Sequence, residues 1–384
     1  MKMKCIYCGN ENPTLMFKAD IFDRALFDIN NHSEKLKQKM GIYHCDKCDY
    51  GFAEPVLSSS DIEELYNTYE YTSPFNGLSV STWFDRNIKI ISQFLEKDKY
   101  IVEIGASEGY FLHLLNEAGY KNNLGIEPSK HVLKGIERGL NMKQIFFTEE
   151  SVNEYNLFPN KVDAFVLLHT FEHFEDPFII FETMVKYLKD DGLIFMETPN
   201  FSSFNVGHIS YFSWPFYEKM AHKYNMKIIY VVDDDENISV VFAKEGSKYN
   251  EIKCPYDFNK VKDKVMLRLS QGDTFYLNGL NEIKKLLPVS KNAILWGTKI
   301  TAANIVTDIE NIEQYGCHII PVDSYESRRG FIMQNISTPT AVPKDIANQS
   351  FDLVIVTTEF IEEVKKTMKE HNIAYNHIIH MVQV

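Results

Sequence analysis

Basic residues are outnumbered in this sequence. The 40 lysines and arginines face 53 aspartates and glutamates, a formal charge of −13 over 384 residues. A surface of that sign repels phosphate backbones and anionic lipid, so neither nucleic acid nor membrane is expected as a partner. There is no apolar run of about 18 residues to span a bilayer, and no basic-then-apolar leader. Cysteine is sparse as well. Of six, Cys5 and Cys8 form one C-x-x-C pair, Cys45 and Cys48 a second, and Cys254 and Cys317 stand alone. That usage excludes a disulfide framework and suits metal binding in a reducing, cytoplasmic setting. Low-complexity tracts and short-period repeats are also missing. The remainder, 45% hydrophobic and 24% charged, is ordinary for a globular chain long enough for two or three domains.

Three zones are expected. Residues 1–75 hold both C-x-x-C pairs and end in the tyrosine-rich "ELYNTYEYTSP". Residues 76–245 alternate strand and helix: "YIVEIGA", "NNLGIEP", "VDAFVLL", "GLIFMETP" and "MKIIYVVDD" read as strands. Between the first two, Phe111, Leu114, Leu115 and Ala118 form an apolar stripe at helical spacing, closed by Gly119. Alternation of this kind predicts a doubly wound α/β sheet. A polar boundary near 246–260 leads into a helical stretch and another α/β series, "AILWGTK", "CHIIPVD" and "FDLVIVTTEF", making 246–384 a Rossmann-like domain.

The stretch "VEIGASEGYF", residues 102–111, admits three chemistries. A dinucleotide fingerprint needs G-x-G-x-x-G so that backbone can approach a pyrophosphate. Starting at Gly105, Ser107 and Tyr110 occupy the places of the second and third glycines, which disfavours it. A serine elbow, G-x-S-x-G around Ser107, needs an acid and a histidine at later strand ends; Glu172 and His173 are only sequence neighbours. S-adenosylmethionine (SAM) fits more residues. It carries no pyrophosphate, so Gly105 and Gly109 need only let the backbone pass close. Glu103 sets negative charge near a cationic methionine group, and Glu127, 22 residues after Gly105, can accept ribose hydroxyls. Glu149 or Glu150 in "FFTEES" can meet the adenine amino group.

Four thiolates in two C-x-x-C pairs suit tetrahedral zinc with no open position, hence a structural site. Each pair reads as a knuckle, with Gly9 just after the first and Gly51 shortly after the second. The separation of 36 residues, 9–44, requires the insert to loop out. A redox C-x-x-C is the rival, weakened because neither pair opens a helix after a strand.

This combination resembles the sugar C-methyltransferases that act on nucleotide-linked keto-deoxysugars, and the resemblance covers nearly the whole chain. It implies a zinc-binding head, a class I methyltransferase core and a Rossmann-like tail that completes the substrate cleft. "ILWGTKITAANIV" and "PVDSYESRRGFIMQNISTPT" look like the family's tail segments, and "GHISYFS" like its catalytic loop. That loop usually reads Y-H-E-H before S-Y-F-S. Here His208 falls on the last histidine, the family's general base, while Asn205, Val206 and Gly207 replace tyrosine, histidine and glutamate. His173 matches a histidine facing the family's cleft, and Tyr71 a tyrosine that closes over the active site.

The altered loop leaves the acceptor open. C-methylation beside a ketone requires loss of a carbon-bound proton and an enolate, whereas O-methylation needs only a hydroxyl deprotonated during attack; one histidine suffices for that. "HTFEHFEDP" follows the fourth core strand, placing His169 beside the SAM methyl group. Its H-x-x-E-H spacing allows a metal, but no third distant ligand is apparent, and contact with substrate or proton transfer is the expectation. In the tail, Gly297 is alone in its turn and Asp323 ends the next strand 26 residues on, a weak nucleotide signal. The leading expectation is thus a cytoplasmic SAM-dependent methyltransferase with structural zinc, acting on a sugar or nucleotide sugar as a monomer or weak homodimer. A zinc-ribbon interaction module without catalysis is the alternative from another class.

Overall fold

The computed structural model of the protein describes residues 4–19, 40–54, 58, 75, 82–158, 161–203, 208–234, 236–298, 300–309, 312–333, 335–358 and 360–382. Two compact units emerge. The second begins at Met266, within a helix that the sequence places just after the polar boundary.

The first unit opens with β1 (Thr14–Ala19), β2 (Met40–His44) and β3 (Gly51–Glu54). Then come α1 (Thr82–Phe94), β4 (Ile101–Ile104), α2 (Tyr110–Glu117), β5 (Asn123–Ile126), α3 (Val132–Glu137), β6 (Met142–Lys143), α4 (Glu149–Glu154) and β7 (Val162–Leu168). It continues through α5 (Pro177–Tyr187), β8 (Leu188–Pro199), β9 (Ser210–Tyr211), α6 (Trp214–Lys223), β10 (Met226–Asp233) and β11 (Asn237–Lys244). Helix α7 (Phe258–Leu286) follows.

Seven of these strands form one sheet in the order β10-β11-β8-β7-β4-β5-β6. Numbered along the chain from β4 and read from β6, that order is 3-2-1-4-5-7-6, and only β11 runs against its neighbours. This is the doubly wound α/β sheet that the alternating pattern predicts, and it agrees with the class I core that the resemblance implies. Its middle strands are buried on both faces, so they read as near-continuous apolar runs. Alternation still sorts them: Val102, Ile104, Phe165 and Leu167 pack on one face, Ile101, Ala164 and Val166 on the other. The chain leaves β4 toward β5 and β6 and returns to β7 on β4's other side. That reversal opens a crevice beyond the ends of β4 and β7, where ligands of such sheets lie.

The smaller sheet runs β1-β2-β3-β9. Its last member comes from the loop after β8, since Gly51 pairs with Tyr211 and Phe52 with Ser210. The head therefore shares its sheet and its core cluster, which includes Cys5, Cys45, Tyr50 and Phe52, with the methyltransferase core.

The second unit contains β12 (Asn292–Trp296), α8 (Ile300–Asp308), β13 (His318–Val322), β14 (Ser350–Val356), α9 (Ile361–Glu370) and β15 (Ala374–His380). All strand pairs in its sheet, β13-β12-β14-β15, are parallel.

Some local expectations shift. In α2 the buried residues are Phe111, Leu112 and Leu115, with Leu112 taking the inward place expected of Leu114. Strands β11 and β15 have no counterpart in the sequence reading. After the second cysteine pair the left-handed turn is made by Asp49 (φ 65°), and Gly51 instead begins β3.

Candidate active site

The loop leaving β4 turns sharply. Gly105 and Gly109 both have φ of 77°, and a Cβ at Gly105 would run into the Thr170 side chain. Only glycine tolerates that conformation with a neighbour so close. Ser107 also has positive φ, 48°, and its N–H donates to Glu127 Oε2 at 2.9 Å; Ser129 N–H donates to Oε1 at 2.8 Å. The loop amide of Ser107 is thus taken by a carboxylate of the protein. Glu127, at the end of β5, keeps further acceptor capacity on both oxygens.

Glu103 is buried in β4, with Oε2 lacking any hydrogen-bond partner. Burial, reinforced by the charge of Glu127, pushes its carboxyl up to about 8. Glu149 begins α4, exposed and paired with Lys186, so contact with an adenine there would replace an exposed ion pair.

Thr170 packs on Gly105, so the turn after β7 lies directly against the loop. That turn carries His169 (φ 51°) and a short 3-10 segment, Phe171–His173. Ile209 N–H donates to Glu172 O at 3.1 Å, tying this turn to the residue after His208. As a result His208 Nε2 stands 3.8 Å from Glu172 Oε1, and His173 Nε2 stands 3.9 Å from the same oxygen. The rings of His173 and His208 meet at 67° with centroids 4.9 Å apart.

Charge in this cluster is set by burial. Glu172 is 1% exposed, neither oxygen has a hydrogen-bond partner, and burial raises it to about 7. Burial, then the charges of His173 and His169, hold His208 well below the usual histidine value, so it is neutral at pH 7. His169 goes the other way: burial opposes its charge, but Glu197 and Glu172 outweigh it and raise the pKa.

Glu197, near the C-terminal end of β8, is in sequence only one residue of an apolar strand. It is fully buried, accepts from Arg86 at 2.7 Å and Asn87 at 3.0 Å, and also accepts from Ser239 Oγ. Its other oxygen faces His169 Nε2 at 3.4 Å. Burial alone would raise its pKa; His169, Ser239, Arg86 and Asn87 together bring it to about 2. Arg86 continues to Asp234 at 2.9 Å. A carboxylate inside an otherwise apolar strand was the available signal, because acids are rarely fully buried unless paired.

The structure brings together Glu103, Gly105, Ser107, Gly109, Glu127, His169, His173 and His208. Tyr71, Asn205, Val206 and Gly207 lie outside the described residues.

In the head, Cys5 Sγ lies 3.6 Å from Cys48 Sγ, and Cys8 Sγ lies 3.5 Å from Cys45 Sγ. All four sulfurs fall within 4.8 Å of one another. Thiolates bound tetrahedrally at about 2.3 Å would be about 3.8 Å apart, so the donor set fits zinc. The two knuckles repeat one hydrogen-bond pattern: Gly9 N–H donates to Cys5 O and Asp49 N–H to Cys45 O, each at 2.8 Å.

Among the described residues no helix is long and apolar enough to cross a membrane. Residues 80–231 match a family described as a methyltransferase domain. No curated protein matches the sequence. Similar solved structures include SAM-dependent methyltransferases from Clostridium acetobutylicum (12% identity, TM-score 0.36, covering 45% of this chain and 95% of that one) and Aquifex aeolicus (15%, 0.35, 45% and 98%). Another is magnesium protoporphyrin IX methyltransferase from Synechocystis with bound SAM (9%, 0.34, 42% and 78%).

Proposed function

We propose, for a chain whose residues 80–231 match a methyltransferase domain, that it transfers methyl groups from SAM, that the acceptor is a nucleotide-linked keto-sugar and that His208 is the general base for its C-methylation. The observation that carries this reading is the buried, neutral His208 beside Glu172, on a turn packed against the Gly105 loop.

In this reading the loop and Glu127 hold SAM, and Glu103 faces its positive charge. His208 removes the proton from the carbon next to the sugar carbonyl, leaving an enolate. The enolate carbon attacks the sulfonium methyl in line; the C–S bond breaks, its electron pair stays on sulfur, and the thioether departs. Positioning and proton removal are the protein's share, because the methyl group arrives activated. The family's glutamate is replaced by Gly207, yet the Glu172 carboxylate 3.8 Å from His208 supplies an acid beside the base.

The loss of the family's tyrosine, first histidine and glutamate at Asn205, Val206 and Gly207 favours a second reading, O-methylation of a sugar hydroxyl. Mass spectrometry of products formed from nucleotide-linked keto-sugars deuterated beside the carbonyl separates the two. Loss of one carbon-bound deuteron for each methyl gained supports C-methylation. A methylated product that keeps all of its deuterium overturns it in favour of oxygen.

We further propose one structural zinc bound by Cys5, Cys8, Cys45 and Cys48. Metal analysis finding no zinc, with all four thiols freely titratable, would rule that out.

A further inference from the structure

Two separate parts of the chain, the turn after β7 and the residue just before Ile209, aim ligand-type atoms at one buried point. We propose that Glu172, His173 and His208 form a binding site for a divalent first-row transition cation such as Co²⁺ or Zn²⁺, and that its occupancy switches methyl transfer off. The second half rests on His208 being the base; the first does not.

Glu172, His173 and His208 each offer one ligand atom within 4.8 Å of the others, and Glu172 Oε1 lies 3.9 Å from His173 Nε2 and 3.8 Å from His208 Nε2. Ligands held tetrahedrally at 2.0–2.1 Å stand about 3.4 Å apart, so each carboxylate–imidazole distance has to contract by about half an ångström. Side-chain torsions absorb a movement of that size. The rings are not stacked, at 67° to each other, which lets two nitrogens converge on one point.

Glu172 needs a ligand most. A carboxylate 1% exposed with neither oxygen hydrogen-bonded is costly to leave unpaired. Arg86, the nearby guanidinium, is committed to Glu197 and Asp234 and does not serve it. A cation supplies the missing partner. Two imidazoles and one carboxylate form a donor set suited to zinc, cobalt or iron(II) rather than to magnesium or calcium, which prefer oxygen alone. Around it, His169 Nδ1 lies 3.8 Å from Glu172 Oε1 while its Nε2 faces Glu197, which sets a third imidazole beside the carboxylate. The H-x-x-E-H spacing lacked a distant third ligand in sequence; His208 is that ligand.

A bound cation takes the Nε2 lone pair of His208, which then cannot accept a proton. The full-length protein, freed of loosely held metal, is titrated with Co²⁺ and its metal content counted after gel filtration. Two equivalents are expected. One shows the intense near-ultraviolet bands of thiolate ligation, from the cysteine cluster; the other shows only weak visible bands. Glu172→Gln and His173→Gln are each expected to lose the second equivalent alone, with thiolate bands and SAM binding retained. One equivalent in the unaltered protein, or a second that persists in both variants, overturns the site. If a variant also loses SAM binding, the count in the unaltered protein decides. Excess Co²⁺ is expected to lower turnover at least tenfold, reversibly with chelator. A cation that binds the second site without lowering turnover overturns the switch, and with it the role of His208 as base, while the site stands.

Discussion

At Gly105 and at Gly297 the chain makes the same move. A buried parallel strand ends, a glycine with positive φ (77° and 97°) turns the backbone, and its N–H donates to the strand beside it at 2.8 Å in both cases. The next strand then ends in an acid. Glu127 accepts from Ser107 and Ser129 amides, and Asp323 accepts from Thr298 Oγ1 at 2.7 Å and Tyr325 N–H at 3.1 Å. The two turns part company in what surrounds them. Just before Gly105 lies Glu103, buried with Oε2 lacking a hydrogen-bond partner, and the turn packed on Gly105 carries Glu172, buried with neither oxygen hydrogen-bonded; in the second unit, among the described residues, no carboxylate is buried without a partner. Shared topology builds the crevice, but unmet charge inside it marks the place where a ligand completes the structure.

The largest effect that would sharpen this contrast is at the base. His208→Ala is expected to lower turnover by about 10²–10⁴, the usual share of a positioned proton acceptor, with SAM affinity intact. Calorimetry and steady-state rates measured together check it. Near-normal turnover in His208→Ala with an inactive His173→Ala would transfer the role to His173.

Matched substitutions at the two strand-end acids come next. Glu127→Gln should weaken SAM binding about ten- to a hundredfold, because a charged acceptor serving two amides becomes a neutral one. Asp323→Asn should leave SAM affinity where it was. Equal losses from both would erase the distinction between the turns.

A pH–rate profile gives a finer test. With His208 held well below 6.5, a rate that needs it neutral rises at a pH below its ordinary value and is flat through pH 7. His169 as base would put the rising limb above 6.5, since its pKa is raised.

The smallest signal is a proton. Glu103, at about 8, is largely protonated at pH 7 in the free protein. A cationic ligand beside it favours the carboxylate, so SAM binding should release close to one proton, seen as a dependence of binding enthalpy on the buffer. Linkage fixes the companion sign: a carboxyl raised from 4.5 to about 8 on folding stabilises below pH 4.5 and loses that contribution as pH climbs through 8. Glu103→Gln should flatten that fall in thermal melts.

Much of the frame was legible because β4, β5, β7 and β12 are apolar runs bounded by glycine or polar punctuation, and because C-x-x-C spacing is a strong signal. The pattern escaped notice at β11 and at β15, the latter with an exposed first half. At the site, His169, His173 and His208 could be named, but not their convergence, which depends on the hydrogen bond from Ile209 to Glu172 between distant segments. Glu197 stayed hidden because period and hydropathy describe a strand's average, whereas its role is defined by Arg86 and Asn87 of α1 and Ser239 of β11.

The pairing of β3 with β9 bears on how each molecule comes into being. Tyr50 and Ser210, whose hydroxyls meet at 2.6 Å, are 160 residues apart, and the strand carrying Ser210 completes the head's sheet. At about 5–20 residues per second of synthesis, β3 waits on the order of ten seconds for its partner. During that wait its edge is open to other chains, and the sulfur head is built on an incomplete sheet. His208 sits two residues before β9, so it is aligned by the same closure that ends the head's exposure. A molecule able to turn over is therefore one whose oldest and much younger segments have already found each other, and specific activity in a preparation counts the chains that finished.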